Sequence, residues 1–312
     1  MKAKENYLIS IPVWGYDYLQ IMLDYLIPSL LAPGNIPSLI NQGQVFIDIH
    51  CEKNFVNEIK KSDKYEEILK FCTIDFNIIN PKDIKSAREV DALKYQLYGK
   101  LHLDSIKKSA DNGYNCIPIA PDVMFTDGYI SNLGLLLKKY EVVLKTSLRA
   151  DLDGIKNFKV TRNSNPMILS VSIEEGRKIL KKSLHLEMNQ YRLTELNQNF
   201  SPHRLIVNFL NRVYLYNADL HAVAISPEVC LRLVELTHIN ELNGSIDSPD
   251  FMHFILLSTK SRKNIFYNLE DVLGFQIDIT HPDSRPLAGK SKKWKVFQIY
   301  KHYKQYLCLY ME

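Results

Sequence analysis

The stretch Ile117–Gly128 reads IPIAPDVMFTDG, in which an apolar run delivers Asp122 and a second carboxylate, Asp127, precedes a glycine-started helical pattern. Two carboxylates at a strand end are what a hard divalent ion such as Mn²⁺ or Mg²⁺ needs when it also holds a diphosphate. An ion bound there would act as Lewis acid and template for a departing nucleotide. The same pair has a plainer reading, with Asp122 ending a strand and Asp127 capping the next helix through its free N–H groups. Three later segments carry further candidates. His221 lies in YNADLHAVAISP, inside an apolar alternation, and could be a metal ligand, a phosphate partner or simply a structural strand histidine. Asp247 and Asp250 lie in GSIDSPD, where one carboxylate could act as general base toward an acceptor hydroxyl; bonding to their own backbone in a turn is the alternative. Arg285 and Lys290, in HPDSRPLAGKSKKW, could close over diphosphate oxygens or belong to a solvated basic loop.

Several common chemistries lack their signatures. No GxGxxG follows the first apolar run and no GxxxxGK[ST] occurs, which disfavours dinucleotide dehydrogenases and P-loop NTPases. GxSxG and HExxH are likewise missing. The formal charge of +4, from 39 basic and 35 acidic residues, is no footprint of a nucleic-acid binder. The five cysteines are odd in number and widely spaced with no CxxC pair, so reduced thiols and a cytoplasmic setting are expected. The start of the chain lacks a signal-peptide pattern, and its apolar runs fall short of the ~20 residues that span a bilayer. The basic, aromatic stretch 290–304 reads as a closing amphipathic helix, with peripheral contact at the inner face of a membrane as the alternative.

These residues need a frame to hold them. Apolar runs at Tyr7–Val13, Val45–Ile49, Thr73–Ile79, Cys116–Ala120 and Glu141–Ser147 read as strands. Helical patterns at Asp17–Leu31, Asn54–Phe71, Asp83–Ala110 and Gly128–Tyr140 alternate with them. That alternation predicts parallel pairing with helical crossovers, and the nearly continuous apolar character of the strands predicts a sheet covered on both faces. The fold class expected is α/β, a Rossmann-like mostly parallel sheet flanked by helices, in residues 1–151. Residues 152–312 are expected to form a less regular acceptor-side half of the same compact unit. There Ile173–Leu186, part of Asn197–Tyr216, Pro227–His238 and Asp250–Ser258 read as helices and Asp219–Ile225 as a strand. Ligands of such sheets bind beyond the carboxyl ends of the strands. That points to Trp14–Tyr16, His50–Glu52, Asn80, Asp122–Asp127 and Arg149–Asp151.

The strand order running into IAPDVMFTDG resembles bacterial nucleotide-sugar glycosyltransferases of the GT-A fold, over about residues 7–151. The opening IPVWGYDYLQIMLDYLIPSLLAPGNIP also resembles the start of bacterial proteins of this kind. The resemblance implies that Pro12, Val13, Trp14 and Tyr16 line a base pocket, and that Asp122 and Asp127 lie near a metal-bound diphosphate. The spacing departs from the family's Asp-x-Asp, since four residues separate the two carboxylates. Arg149, by its place after the fifth strand, joins the candidates for donor binding. The activity implied is transfer of a sugar from a nucleotide-sugar to a hydroxyl of a glycan or related acceptor. A nucleotidyltransferase and a catalytically silent α/β scaffold are the alternatives. VWGYDY lacks the glycine-rich basic loop that usually opens the former.

Overall fold

The computed structural model describes residues 5–146, 148–157, 167–183, 192–193, 204–209, 212–217, 220–239, 245, 248–268 and 276–280. Strand β1 (Tyr7–Val13) is buried along its whole length. It pairs in parallel with β2 (Val45–Cys51) on one side and β4 (Asn115–Pro118) on the other. Beyond β2 lies β3 (Thr73–Ile78), again parallel. On the far side of β4 the chain inserts β11 (Leu220–Ile225), antiparallel to both β4 and β6 (Val142–Thr146). Strand β12 (Ile265–Asn268), parallel to β6, completes a seven-stranded sheet of order β12-β6-β11-β4-β1-β2-β3. The sheet is mostly parallel and helix-covered, as expected from the sequence.

Strand alternation decides what each face meets. Tyr7, Ile9, Ile11 and Val13 of β1, with Val45, Ile47, Ile49 and Cys51 of β2, enter one large apolar core. Against them pack α1 (Tyr16–Ile21), α2 (Ile27–Leu30), α3 (Ile36–Leu39), α4 (Lys53–Lys60), α5 (Asp63–Ile68) and α8 (Tyr129–Leu137). The opposite face carries Ser10, Asp48 and His50 beneath α7 (Asp91–Asn112), and this layer is polar. His102 Nδ1 lies 3.0 Å from Ser10 Oγ, and His50 Nε2 lies 2.8 Å from Ser105 Oγ. Lys108 donates to Asp48 at 2.6 Å and to Asp75 at 2.8 Å. Further along this face an apolar cluster joins the sheet to α11 (Pro227–Ile239) and α12 (Pro249–Ser258).

Three expected helices are interrupted. The helical run from Tyr16 passes through a π-helical turn at Met22–Leu26 before α2. Asn54–Phe71 divides at Ser62, whose side chain caps α5 by accepting from Lys64 N–H. Asp83–Ala110 divides at Val90, an extended residue (φ −135°) between α6 (Pro81–Glu89) and α7. Within Asn197–Tyr216, expected to be helical in part, the described residues are strand and not helix. The described residues there are β9 (Arg204–Phe209) and β10 (Arg212–Asn217), an antiparallel pair, with β8 (Arg192–Leu193) parallel to β9. RLIVNF and RVYLYN are rich in the β-branched and aromatic residues that suit a pleated surface.

A second, small sheet lies at the edge where the candidate residues gather. Strand β5 (Val123–Phe125) leaves the main sheet just after Asp122. It pairs antiparallel with β13 (Gln276–Thr280), which pairs in parallel with β7 (Leu148–Asp151). Helices α9 (Leu152–Asn157) and α10 (Ile173–Ser183) pack beside it over Met124, Ala150, Ile277 and Ile279. No helix among the described residues is long and apolar enough to cross a membrane.

Candidate functional site

In this sheet β2 and β3 are added on one side of β1, whereas β4 lies on the other. The connections therefore diverge between β1 and β4, the place where sheets of this kind take their ligands, beyond the carboxyl ends of the strands. At the end of β1 the chain turns through Gly15, whose φ of 84° lies in the left-handed region open to glycine. Its N–H donates to Glu52 Oε1 at the end of β2 (2.9 Å), and the same oxygen accepts from Arg88 of α6 (2.9 Å). Glu52 thus ties three elements together. Beside it is a cleft of about 410 Å³ lined by Glu52, Lys53, Asn54, Ile79, Lys85 and Arg88, among others. This is within the usual size range of small-molecule sites, roughly 300–1,000 Å³.

The four residues expected around a base divide sharply. Pro12 and Val13 are interior residues of β1. Trp14 is 9% exposed and clusters with Ile79, Ile84, Ala87, Leu97 and Leu101, its ring 6.1 Å from that of Tyr98. Since Ile79 and Ile84 also line the cleft, Trp14 forms the layer beneath it. Tyr16 is 62% exposed at the start of α1.

On the other side of the switch point stands a charged group. Asp122 follows β4, and its carbonyl accepts from the N–H of Ile279 at 2.6 Å. This bond and the strand register bring Asp278 close: Asp278 lies opposite Val123 on one side and Arg149 on the other. Part of Asp122 stays accessible, but protein surrounds its carboxyl. Burial pushes its pKa up to about 7, the Asp278 charge adds to the rise, and its own backbone, Arg149 and Lys94 oppose it. Lys94, near the start of α7, reaches the hydroxyl of Tyr18 at 3.4 Å and lies 5.4 Å from its ring centre. Gln276 donates its side-chain amide to Asp278 Oδ1 at 2.7 Å.

Asp127 is engaged in the fold. Its Oδ1 accepts from the N–H of Gly34 and its Oδ2 from the hydroxyl of Ser170, both at 2.6 Å. Its own N–H donates to the carbonyl of Val171. Nearby, the buried side chain of Asn35 donates to the carbonyls of Ser29 and Thr126 and accepts from Ile130 N–H. The segments LLAPGNIP and FTDG, far apart in sequence, are thus clasped to each other. A Cβ on Gly34 would meet Asp127 Oδ1 at 2.6 Å and the backbone of Gly128 at 2.7–2.9 Å, so only glycine fits.

The remaining candidates are scattered. His221, half-buried, sits opposite Lys145 in register. Because β11 runs antiparallel, His221 comes to the same sheet edge as Asp122 and Arg149. Asp250 is in the first turn of α12, whose cap is Ser248. Asp247, Arg285 and Lys290 lie outside the described residues. Among the described residues no three metal-binding side chains converge. The donor chemistry of Asp122 and Asp278 fits a hard divalent cation whose remaining ligands come from phosphate oxygens and water. Asp278, Lys94 and Arg88 are the residues the sequence did not single out for the site. Glu52 was among the strand-end residues the sequence pointed to, by its place after the second apolar strand.

The fold and this edge together define a doubly wound α/β protein with a cleft beyond the carboxyl ends of β2 and β3 and charged residues beyond that of β4. No protein-family model matches the chain, and no curated protein matches it in sequence. Among solved structures it is similar to core-mannan synthase A from Aspergillus fumigatus in a Mn/GDP form, at 10% identity and a TM-score of 0.42, covering 97% of this chain and 85% of that one. It is similar to TarS 1–349 of S. aureus in complex with UDP, at 10% identity and a TM-score of 0.38, covering 92% of this chain and 59% of that one. It is also similar to a 4-diphosphocytidyl-2C-methyl-D-erythritol synthase from Anaerococcus prevotii, at 10% identity and a TM-score of 0.36, covering 97% and 96%.

Proposed function

We propose that the chain is a transferase that takes a nucleotide-sugar at the carboxyl edge of its sheet and passes the sugar to a hydroxyl of a glycan or related acceptor. One observation carries this reading. The cleft beyond β2 and β3, beside Glu52 and Arg88, and the charged residues Asp122, Arg149 and Lys94 lie at the same carboxyl edge of the sheet, on either side of β1. The cleft would take base and ribose above the Trp14 layer, with Tyr16 at its open side. Arg149 and Lys94 would draw the diphosphate toward Asp122 by direct charge. A divalent cation held by Asp122 and Asp278 would neutralise charge on the departing diphosphate. His221 would accept the proton of the acceptor hydroxyl at a ring nitrogen; Asp247 or Asp250 is the other candidate for that role. Arg285 and Lys290 would cover the diphosphate.

Nucleotidyl transfer is the second reading, because a carboxylate pair beside basic side chains also suits attack on an α-phosphate. Against it, the Gly15 N–H at the end of β1 is already given to Glu52 and is not turned toward a phosphate. The test is a thermal-shift series with UDP, GDP, CDP and CMP, each with Mn²⁺, Mg²⁺ or EDTA, followed by product analysis with the corresponding nucleotide-sugars. A ligand at 100 times its Kd adds about 2.7 kcal/mol of stability, which a melting curve resolves. A shift with one nucleoside diphosphate and release of that diphosphate on turnover is the expected result. Release of pyrophosphate from a nucleoside triphosphate and a sugar phosphate would instead select nucleotidyl transfer. If none of these nucleotides binds at millimolar concentration, both readings fall and a scaffold takes their place.

A further inference from the structure

His102, in the middle of α7, is fully buried against the sheet. Its Nδ1 lies 3.0 Å from Ser10 Oγ, whereas no hydrogen-bonding atom reaches its Nε2. A neutral imidazole has one N–H and an imidazolium has two, so a protonated His102 holds an N–H at Nε2 with no acceptor. The surrounding elements offer it no counter-charge. Asp48 of β2 and Asp75 of β3 are engaged by Lys108, and Asp83 of α6 faces Lys100 at 3.8 Å. On α11, which packs along α7, Arg232 pairs with Glu141. Neither Glu228 nor Glu235 of that helix, nor Asp104 of α7, acts on His102. Among the described residues the one titratable group that does is His50, and it opposes a positive charge there.

The chain over His102 is built to move as a unit. Val90, extended at φ −135°, separates α6 from α7. Helix α6 and the first half of α7 rest on an apolar cluster of their own, Trp14, Ile79, Ile84, Ala87, Leu97 and Leu101, apart from the large core. Leu101 adjoins His102 in the chain, and the Tyr98 ring stands edge-on to the imidazole at 4.6 Å and 6.1 Å from Trp14. The polar ties of this unit to the sheet side are Arg88 with Glu52 and the 3.4 Å contact of Lys94 with Tyr18. An exposed ion pair such as the first holds weakly. The second half of α7 is anchored separately, by Lys108 on Asp48 and Asp75 and by Ile106 in another apolar cluster. Elements resting on few buried apolar groups open at lower free energy than the core.

We infer that His102 is an acid-sensitive latch: its protonation releases α6 and the first half of α7 from the sheet, and with them the wall of the cleft formed by Ile84, Lys85 and Arg88. The inference goes beyond the transferase reading and needs no ligand. In the closed form burial holds the His102 pKa well below its ordinary value, and His50 adds to the fall. Once open, the hydrated ring takes up a proton below about pH 6.5. The closed form is therefore complete above that pH, and the open population rises by up to about tenfold for each pH unit below it.

The test uses the full chain carrying Trp294→Phe, which leaves Trp14 as its one tryptophan. Acrylamide quenching of Trp14 is followed from about pH 8 down to about pH 5, beside far-ultraviolet circular dichroism. Quenching should rise below about pH 6.5 while the dichroism stays native. Deuterium exchange at the imidazole C2, read by mass spectrometry, should show His102 titrating over the same range. His102→Asn, which keeps an amide where Nδ1 meets Ser10, should remove the rise. Quenching that stays flat, or that rises only as the dichroism is lost, would overturn the inference, because acid would then act on the whole fold or on nothing. A rise that His102→Asn leaves in place would overturn it too. So would a His102 that stays unprotonated through the rise, a result read on the histidine itself and decisive even where the Asn variant does not fold.

Discussion

Asp127 and Asp122 show how one residue type serves two ends. Asp127 spends its oxygens on Gly34 and Ser170, with short bonds that close a loop against a strand end. Asp127→Ala leaves the Gly34 N–H without its acceptor and should cost about 2 kcal/mol, read from urea denaturation. Gly34→Ala pushes a methyl into backbone and should cost about 1–3 kcal/mol by overpacking. Asp122 behaves oppositely. Burial and Asp278 hold its carboxyl at a pKa of about 7, so its ionised form is strained in the folded protein. Asp122→Asn should therefore raise stability at pH 8, by on the order of 1–4 kcal/mol, while removing Mn²⁺ binding. In sequence these two aspartates are alike, since a helix cap, a loop clasp and a cation seat all draw on the same side chain. Asp278 gave no sign at all. Its partner Asp122 lies more than 150 positions away, and only the pairing of β13 with β5 brings them together.

At the scale of elements, α7 meets the sheet through buried polar groups as well as through the apolar Leu97, Leu101 and Ile106. Asp48, 1% exposed, meets Lys108 at 2.6 Å and the Ser105 hydroxyl at 3.3 Å. Asp48→Ala would strip a half-buried lysine of its inner partner, and Asp75 would keep only the outer contact. Breaking such a pair from one side typically costs about 3–5 kcal/mol; the exposure of Lys108 argues for the low end, near 3 kcal/mol in urea denaturation. The strands beneath were legible because unbroken apolar runs bounded by turn residues have few other uses. The break at Val90 was not, because AREVDAL contains neither glycine nor proline and keeps its helical spacing across the gap. The β9–β10 pair was misread for the opposite reason. Its connection lacks a strong turn signal, so RLIVNFLNRVYLYN passes for one apolar helix. Strand β5 was hidden because three residues, VMF, are too few to show any period.

For the molecule as a whole, two buried titrations of opposite sense set the dependence of stability on pH. Burial lowers His50, against the opposing pull of Asp48 and Asp104 and with help from Lys108; burial lowers His102 further, with His50 adding to it. A histidine with a lowered folded pKa is neutral in the native state, while the unfolded chain takes up a proton below about 6.5. Stability is therefore full above that pH and is lost as the pH falls through it, at up to about 1.4 kcal/mol per pH unit for each histidine. Asp122 runs the other way: its raised pKa means the native state keeps a proton the unfolded chain has released. Its contribution is full below about 4 and is lost as the pH rises toward 7. The histidines add a fall below pH 6.5, and Asp122 adds a decline between about 4 and 7 as the pH rises. The two slopes oppose each other where they overlap, and each should be separable by substitution. In urea midpoints measured from pH 5 to 8, His102→Asn should flatten the acid fall, and Asp122→Asn should steepen the net rise between pH 5 and 7. If His102→Asn leaves the acid slope unchanged, the layer under α7 is not its source. If Asp122→Asn leaves the rise unchanged, Asp122 titrates as an ordinary carboxylate, and the crowding of charge at the sheet edge is weaker than the packing there implies.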